Sequence, residues 1–202
     1  MADLHQKALR LEYFTIGYNI AEALASIGFG YLAGSIALIG FGLDSIVESL
    51  SGIVLVWRLR RHGRVSMEEE EAIERRALKF VALTFIILGL YVAFEAMRSL
   101  LYQEIAQATL PGIIIAILSL IVMPVLAWRK IQIAKRIQSR ALIADAKETI
   151  ACAILSLALL AGLTGRFLFG FWQADPLVAL FIAFFLLREG YDGWVESNEE
   201  GT

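Results

Sequence analysis

The apolar stretch SIALIGFGLDSIVESLSGIVLVW, residues 35–57, carries two acids in a run long enough to cross a bilayer as a helix. These acids, Asp44 and Glu48, are four residues apart, so both carboxylates lie on one face of that helix. An ionised carboxylate near the bilayer centre costs about 2.5–3.5 kcal/mol. The stretch therefore predicts a membrane helix whose acids are protonated, paired or bound to a cation.

A second stretch, SRALIADAKETIACAILSLALLAGL at residues 139–163, repeats the first. When the two are aligned from their initial serines, Glu148 falls on Asp44 and Cys152 falls on Glu48. The chain thus carries twice a pair of potential metal ligands, four residues apart in an apolar helix. Four such side chains from two facing helices can form a tetrahedral site, which suits Zn²⁺ and other first-row divalent ions.

The composition of the whole chain is that of a membrane protein. Of its 202 residues 58% are hydrophobic, and only three are prolines. The formal net charge of -2 provides no strongly basic surface, so nucleic acid is not an expected partner. The lone cysteine excludes an internal disulfide. The lipid bilayer is the expected environment, and for a bacterial source the expected location is the inner cell membrane.

Six apolar runs are long enough to span the bilayer, which predicts an all-α protein of one domain with no separate soluble domain. The predicted spans are residues 11–32, 35–57, 78–102, 110–128, 141–163 and 169–190. The first residues lack the layout of a signal peptide, so the first run is expected to remain as a membrane helix. Residues 189–202 are expected to form a short acidic tail.

Basic residues concentrate in the loops that follow the second and fourth spans. The second of these loops is expected to hold Arg129, Lys130, Lys135, Arg136 and Arg140. The positive-inside rule then places both basic loops and both termini in the cytoplasm. With that topology the second and fifth helices run in opposite directions. The repeated stretch therefore predicts a three-plus-three inverted repeat, with a binding site near the bilayer midplane between the halves.

Two further acids are candidates for the same site. Asp145 lies three residues before Glu148, close to the predicted cytoplasmic end of its helix. It is interpreted as an accessory partner, as an acid on the path into the site, or as a first-turn acid favoured by the helix dipole. Glu22 lies deep in the first span without a local basic partner. We interpret it as a candidate accessory ligand or proton relay.

Two other acids have simpler interpretations. Glu95, in the third span, is expected to pair with Arg98 three residues later. Asp175 precedes a proline at the start of the sixth span, which is a common helix start, so it is expected to cap that helix.

The ligand types leave the identity of the metal open. A lone cysteine such as Cys152 is usually a small buried hydrophobic residue, whereas its alignment with Glu48 favours a ligand. A thiolate favours softer ions, while three carboxylates without an imidazole favour harder ions such as Mn²⁺ or Fe²⁺. A membrane carboxylate enzyme with two irons is disfavoured, because no histidine falls in any span to accompany the acids.

Taken together, these residues resemble the cation diffusion facilitator family of divalent-metal efflux transporters. The similarity is carried by GSIALIGFGLDSIVES in the second helix, SRALIADAKETIAC in the fifth and WQADPLVALFIAFFLLREGYDGW in the sixth. It implies that Asp44, Glu48, Glu148 and Cys152 form a midplane metal site. It also implies a homodimer that exports metal in exchange for protons.

The chain departs from the family pattern in two respects. Glu148 and Cys152 stand where the family usually has histidine and aspartate. The cytoplasmic C-terminal domain of many members has no counterpart in the sequence, so the resemblance is to a variant that consists of the transmembrane domain alone. Such a variant implies a dimer held within the membrane or by the loops.

The sequence therefore predicts a proton-coupled transporter, not an enzyme, which moves a divalent cation such as Zn²⁺, Mn²⁺, Fe²⁺, Co²⁺ or Cd²⁺ out of the cytoplasm. The alternative is a membrane protein of the same fold that does not transport, acting as a metal sensor or as one subunit of a heterodimer.

Overall fold

A computed structural model describes residues 2–61, 67–107 and 109–199 of the chain. Six α-helices account for nearly all of them: α1 (Ala2–Ala33), α2 (Ile36–Arg61), α3 (Met67–Tyr102), α4 (Leu110–Ile137), α5 (Arg140–Phe169) and α6 (Ala174–Glu199). The described part of the chain contains no β-strand. The prediction of an all-α protein with six helices is confirmed.

The helices are longer than the predicted spans: α1 begins at Ala2 and α3 at Met67, before the predicted residues 11 and 78. The fourth helix continues past residue 128 to Ile137, so most of the second basic loop is helical. The fifth continues past residue 163 to Phe169, where Gly170 ends it with a left-handed φ of 67°. The sixth begins at Ala174 instead of residue 169 and runs to Glu199, so most of the predicted acidic tail is helical.

The outer surface of the helix bundle is apolar. Long apolar segments suited to crossing a membrane lie in α2 (Ile36–Arg60), α3 (Leu78–Tyr102), α4 (Leu110–Ile137) and α5 (Ala141–Phe169) among the described residues. Every helix also exposes large hydrophobic side chains, of which one from each is Phe14, Ile53, Phe80, Ile121, Leu157 and Phe184. Such a surface is stable in lipid and not in water, so the chain is an integral membrane protein.

The six helices pack as two similar hairpins and one helix pair. α1 packs mainly on α2, α4 on α5, and α3 on α6. Between α2 and α5, Glu48 meets Thr149 while Asp44 lies beside Cys152, so residue numbers rise along one helix as they fall along the other. These helices therefore run in opposite directions, as an inverted repeat requires.

The turns inside the two hairpins have the same geometry. Gly34 and Gln138 both adopt left-handed backbone conformations, with φ of 64° and 55°. The serine that follows each of them begins the next helix: Ser35 Oγ accepts from the N–H of Leu38 at 3.1 Å, and Ser139 Oγ accepts from that of Leu142 at 3.3 Å. The sequence repeat is thus also a repeat of local structure.

The role predicted for Asp175 is wrong. Its carboxylate accepts hydrogen bonds from the Ser35 hydroxyl and from the backbone N–H of Ile36 at 2.9 Å and Ala37 at 3.4 Å. Asp175 therefore caps α2, a neighbouring helix, and not the helix in which it stands. The carboxylate is buried and compensates the free N–H groups and the positive dipole end of α2.

Candidate metal site

Three of the four predicted ligands lie together where α2 faces α5. The Cys152 thiol faces the carboxylates of Asp44 and Glu48, close enough for the three groups to interact. All three side chains are buried, with 1%, 9% and 4% of their surface exposed. Carboxylates and thiols are groups that bind divalent cations once they lose their protons.

The fourth predicted ligand, Glu148, lies further along the same interface. It is partly buried and interacts with Ser51 of α2, one turn beyond Glu48. Its Oε2 atom is buried without a hydrogen-bond partner among the described residues. Glu148 is thus beside the cluster and not inside it.

Metal binding would require the side chains to converge further. Within the described ranges, no group of three His, Cys, Asp or Glu side chains is placed so that it could hold a metal ion. The four-ligand tetrahedral site therefore stays a prediction.

Glu22, the accessory candidate from the first helix, belongs to this region. Ser45 Oγ donates to Glu22 Oε2 at 2.9 Å, and Glu22 lies close enough to interact with Cys152. Tyr18 and Ser119 are its other polar neighbours. The structure thus brings α1 into the polar interior, although no contact decides between a relay and a ligand.

A buried ammonium group near the site was not foreseen. Lys130, predicted to lie in a cytoplasmic loop, stands in α4 with none of its surface exposed. It forms ion pairs with Asp145 of α5 and with Glu12 of α1, the latter at 3.2 Å. The placement of Lys130 in a solvated loop is therefore wrong, because two carboxylates from two other helices compensate its charge inside the bundle.

Lys130, Glu12 and Asp145 form an ion-pair triad, which also defines the position of Asp145. It is not a first-turn acid, because it is the sixth residue of α5, and its buried carboxylate pairs with Lys130. It lies one turn before Thr149, whose hydroxyl donates to Glu48 Oε1 at 2.8 Å. Asp145 thus adjoins the candidate site through its neighbours.

The sequence analysis missed four polar residues of this interior: Glu12, Lys130, Thr149 and Glu189. Thr149 had a usable signal, because it aligns with Ser45 in the repeat and both are hydroxyl residues. Glu189 is a half-buried residue of α6 that lies within electrostatic range of Asp44 and Glu148. The sequence analysis assigned it to the acidic tail and therefore did not consider it for the site.

The pair predicted on the third helix is confirmed. Arg98 lies 3.2 Å from Glu95, and Glu104 joins it at 3.4 Å. The arginine is largely exposed, so these contacts belong to the surface and not to the candidate site.

The fold and the polar interior define a class: an integral membrane protein built from a repeated helix hairpin, with acids and a thiol buried between the halves. Comparison with known families makes this specific. The chain belongs to the cation efflux family, since the family's cation efflux transmembrane domain matches residues 13–199.

Individual relatives are distant. A protein named as an uncharacterized transporter from Methanocaldococcus jannaschii is 25% identical over 181 residues, which are 86% of this chain and 62% of the relative. Transmembrane protein 163 of Xenopus laevis is 23% identical over 186 residues, 92% of this chain and 65% of the relative. Another protein named as an uncharacterized transporter, from a Synechocystis strain, is 26% identical over 180 residues, which are 87% of this chain and 58% of the relative. The chain therefore spans roughly three fifths of the length of these relatives.

Proposed function

We propose that the chain forms the membrane pathway of a divalent transition-metal transporter, with Asp44, Glu48 and Cys152 at the centre of its binding site. The observation that carries the proposal is the meeting of these three buried groups across α2 and α5. Membership of the cation efflux family and the transporter names of two relatives support it. The proposed role is transport and not catalysis.

The proposed mechanism is exchange of metal for protons. Carboxylates and thiols bind metal in their deprotonated forms, so each ion that arrives displaces protons from its ligands. Glu148 joins the set when the helices close on the ion, and release follows when the site opens to the other side and is protonated again. In this proposal both termini lie in the cytoplasm, export is outward, and two chains form a homodimer.

The substrate is proposed as one or more of Zn²⁺, Mn²⁺, Fe²⁺, Co²⁺ and Cd²⁺. If Cys152 binds the ion, softer metals are preferred. If the carboxylates alone bind it, harder ions are preferred. Replacement of Cys152 therefore separates these two possibilities.

The test is metal uptake into proteoliposomes that contain the purified chain, measured for each of the five ions under a pH gradient. We expect gradient-dependent uptake that is abolished in Asp44→Ala and Glu148→Ala and altered in ion preference in Cys152→Ala. Glu95→Ala is the matched control, because this acid is paired with Arg98 on the surface of α3. Wild-type rates in Asp44→Ala would contradict the proposed site.

A second candidate function is a membrane metal sensor, or one subunit of a heterodimer, that keeps the fold without transporting. It is motivated by Glu148 and Cys152, which stand where the family usually has histidine and aspartate. Absence of uptake for every ion, together with metal binding in detergent, would favour this alternative.

A further inference from the structure

A chain of buried polar contacts joins α4 to the candidate site. The Lys130 ammonium donates to Thr149 Oγ1 at 3.2 Å, and the Thr149 hydroxyl lies 2.8 Å from Glu48 Oε1. Lys130 and Thr149 have no exposed surface, and Glu48 has 4%. The contacts therefore lie in an interior where each hydrogen bond is shielded from water.

The ammonium determines which way the threonine hydroxyl points. An ammonium can only donate, whereas a hydroxyl has one proton to donate and two lone pairs that accept. One lone pair of the Thr149 oxygen accepts from Lys130, so the hydroxyl cannot donate toward the ammonium. Its own proton therefore points to a different group, which must be an acceptor. The nearest is Glu48 Oε1 at 2.8 Å, and the alternative is the carbonyl of Asp145 at 3.1 Å.

The other oxygen of the same carboxylate has a different environment. Glu48 Oε2 is buried and has no hydrogen-bond partner in the described part of the chain. Burial of an unpartnered carboxylate oxygen is costly, so such an atom is kept for a proton or a cation. Glu48 is thus held through one oxygen, and its second oxygen has no partner among the described residues.

From this geometry we infer that Thr149, oriented by Lys130, is a positioning residue that sets the angle at which Glu48 binds the metal. The inference rests on the proposed function, because it takes Glu48 as a metal ligand. Partners that orient a ligand in this way contribute about 10–100-fold to metal affinity in characterised metal sites.

The ion pairs of Lys130 keep the ammonium in place for this role. Asp145 and Glu12 hold it from two helices, and Asp145 stands one turn before Thr149 on α5. Without the ammonium, both lone pairs of the hydroxyl are free and its proton can turn to the Asp145 carbonyl. The whole triad, and not the threonine alone, therefore supports Glu48.

The experiment measures Zn²⁺ and Mn²⁺ affinity of the full chain in detergent by calorimetry, beside the melting temperature without metal. Thr149→Val removes the hydroxyl with little change of shape, and we expect it to weaken binding by about 10–100-fold. The melting temperature should also fall, because the buried Glu48 Oε1 loses its hydrogen-bond donor. Thr149→Ser restores the hydroxyl and should bind like the wild type. Thr84→Val, the same change on α3, is the matched control, because among the described residues the Thr84 hydroxyl donates to Phe80 of its own helix.

A second variant tests the ammonium without leaving an uncompensated charge. The triple variant Glu12→Gln, Lys130→Met and Asp145→Asn leaves Thr149 unchanged but removes the ammonium. We expect its affinity for the metal to be about tenfold lower than that of the wild type. A double-mutant cycle with Glu48→Gln completes the test, because a residue that acts through Glu48 should have no further effect once that carboxylate is gone.

The outcomes separate the inference from the proposed function. Wild-type affinity in Thr149→Val and in the triple variant, equal weakening in Thr149→Val and Thr149→Ser, or additivity with Glu48→Gln would overturn the inference while leaving the metal site intact. If Thr149→Val does not fold, the triple variant and the serine variant decide the question. No metal binding by the wild type, or full binding by Glu48→Gln, would overturn the proposed site itself and the inference with it.

Discussion

The two hairpins, α1–α2 and α4–α5, share a backbone but differ in charge. Both turn through a left-handed residue and begin the second helix with a serine cap. The register that aligns these serines also aligns Ser45 with Thr149, and Ser26 with Lys130. In the first hairpin Ser45 donates to Glu22 of its own α1, whereas in the second Thr149 donates to an acid of the other hairpin.

The difference shows how a repeated structure can form a single asymmetric site. The α4–α5 hairpin contributes a buried ammonium beside its own acid Asp145, and this ammonium pairs with Glu12 of the α1–α2 hairpin across the boundary between them. This ion pair is a charge contact that the repeat alone does not predict, because the residue equivalent to Lys130 is Ser26. The two hairpins share their backbone geometry, and they differ in the polar side chains that they place between the halves.

The strongest test of this comparison removes the buried charge from one hairpin only. Lys130→Met has nearly the same shape but leaves Glu12 and Asp145 without a counter-charge, which should cost about 3–5 kcal/mol of stability. Ser26→Ala, at the equivalent position, removes a buried hydroxyl that has no partner among the described residues and should change stability by less than about 0.5 kcal/mol.

Unfolding in detergent, followed by heat or denaturant, measures both variants. Adding Glu12→Gln and Asp145→Asn to Lys130→Met should recover most of the loss, because the uncompensated charges disappear. Equal stability of Lys130→Met and Ser26→Ala would show that the hairpins do not differ in the way described.

A smaller effect is expected at the starts of α2 and α5. The start of α2 is held by Ser35 and by Asp175 of α6, whereas the described contacts at the start of α5 come from Ser139. Asp175→Ala should therefore cost about 2 kcal/mol, since it leaves buried N–H groups unpaired, and Ser139→Ala about 1 kcal/mol.

Helix content and melting temperature of the two variants provide the measurement. Asp175→Asn, which keeps an oxygen acceptor but loses the charge, should fall between Asp175→Ala and the wild type. A larger loss for Ser139→Ala than for Asp175→Ala would contradict the cross-helix cap.

The helices could be predicted from the sequence, but the buried contacts between them could not. Long apolar runs and the repeated serine-led stretch predict six helices and the antiparallel pair α2 and α5. They also bring Asp44, Glu48 and Cys152 to one interface, because register and helix periodicity are local properties.

The contacts of Lys130 and Asp175 could not be predicted in the same way. Lys130 stands next to Arg129 at the end of an apolar run, which locally is typical of a cytoplasmic loop. Asp175 has a common local signal for a cap. Both side chains take partners from helices that are distant in sequence, and only the packing of α1, α2, α4, α5 and α6 determines them.

The smallest expected effect concerns the turns that make the hairpins alike. A non-glycine residue in a left-handed conformation costs roughly 1–2 kcal/mol, and glycine costs roughly 0.5–1 kcal/mol in chain entropy. Gly34→Ala should therefore destabilise by about 0.5–1 kcal/mol, with no steric contact involved because a Cβ there meets no atom within 4 Å. Gln138→Gly, at an exposed position, should stabilise by a similar amount. Melting temperatures that move in the same direction for both variants would show that the two turns are not equivalent in energy.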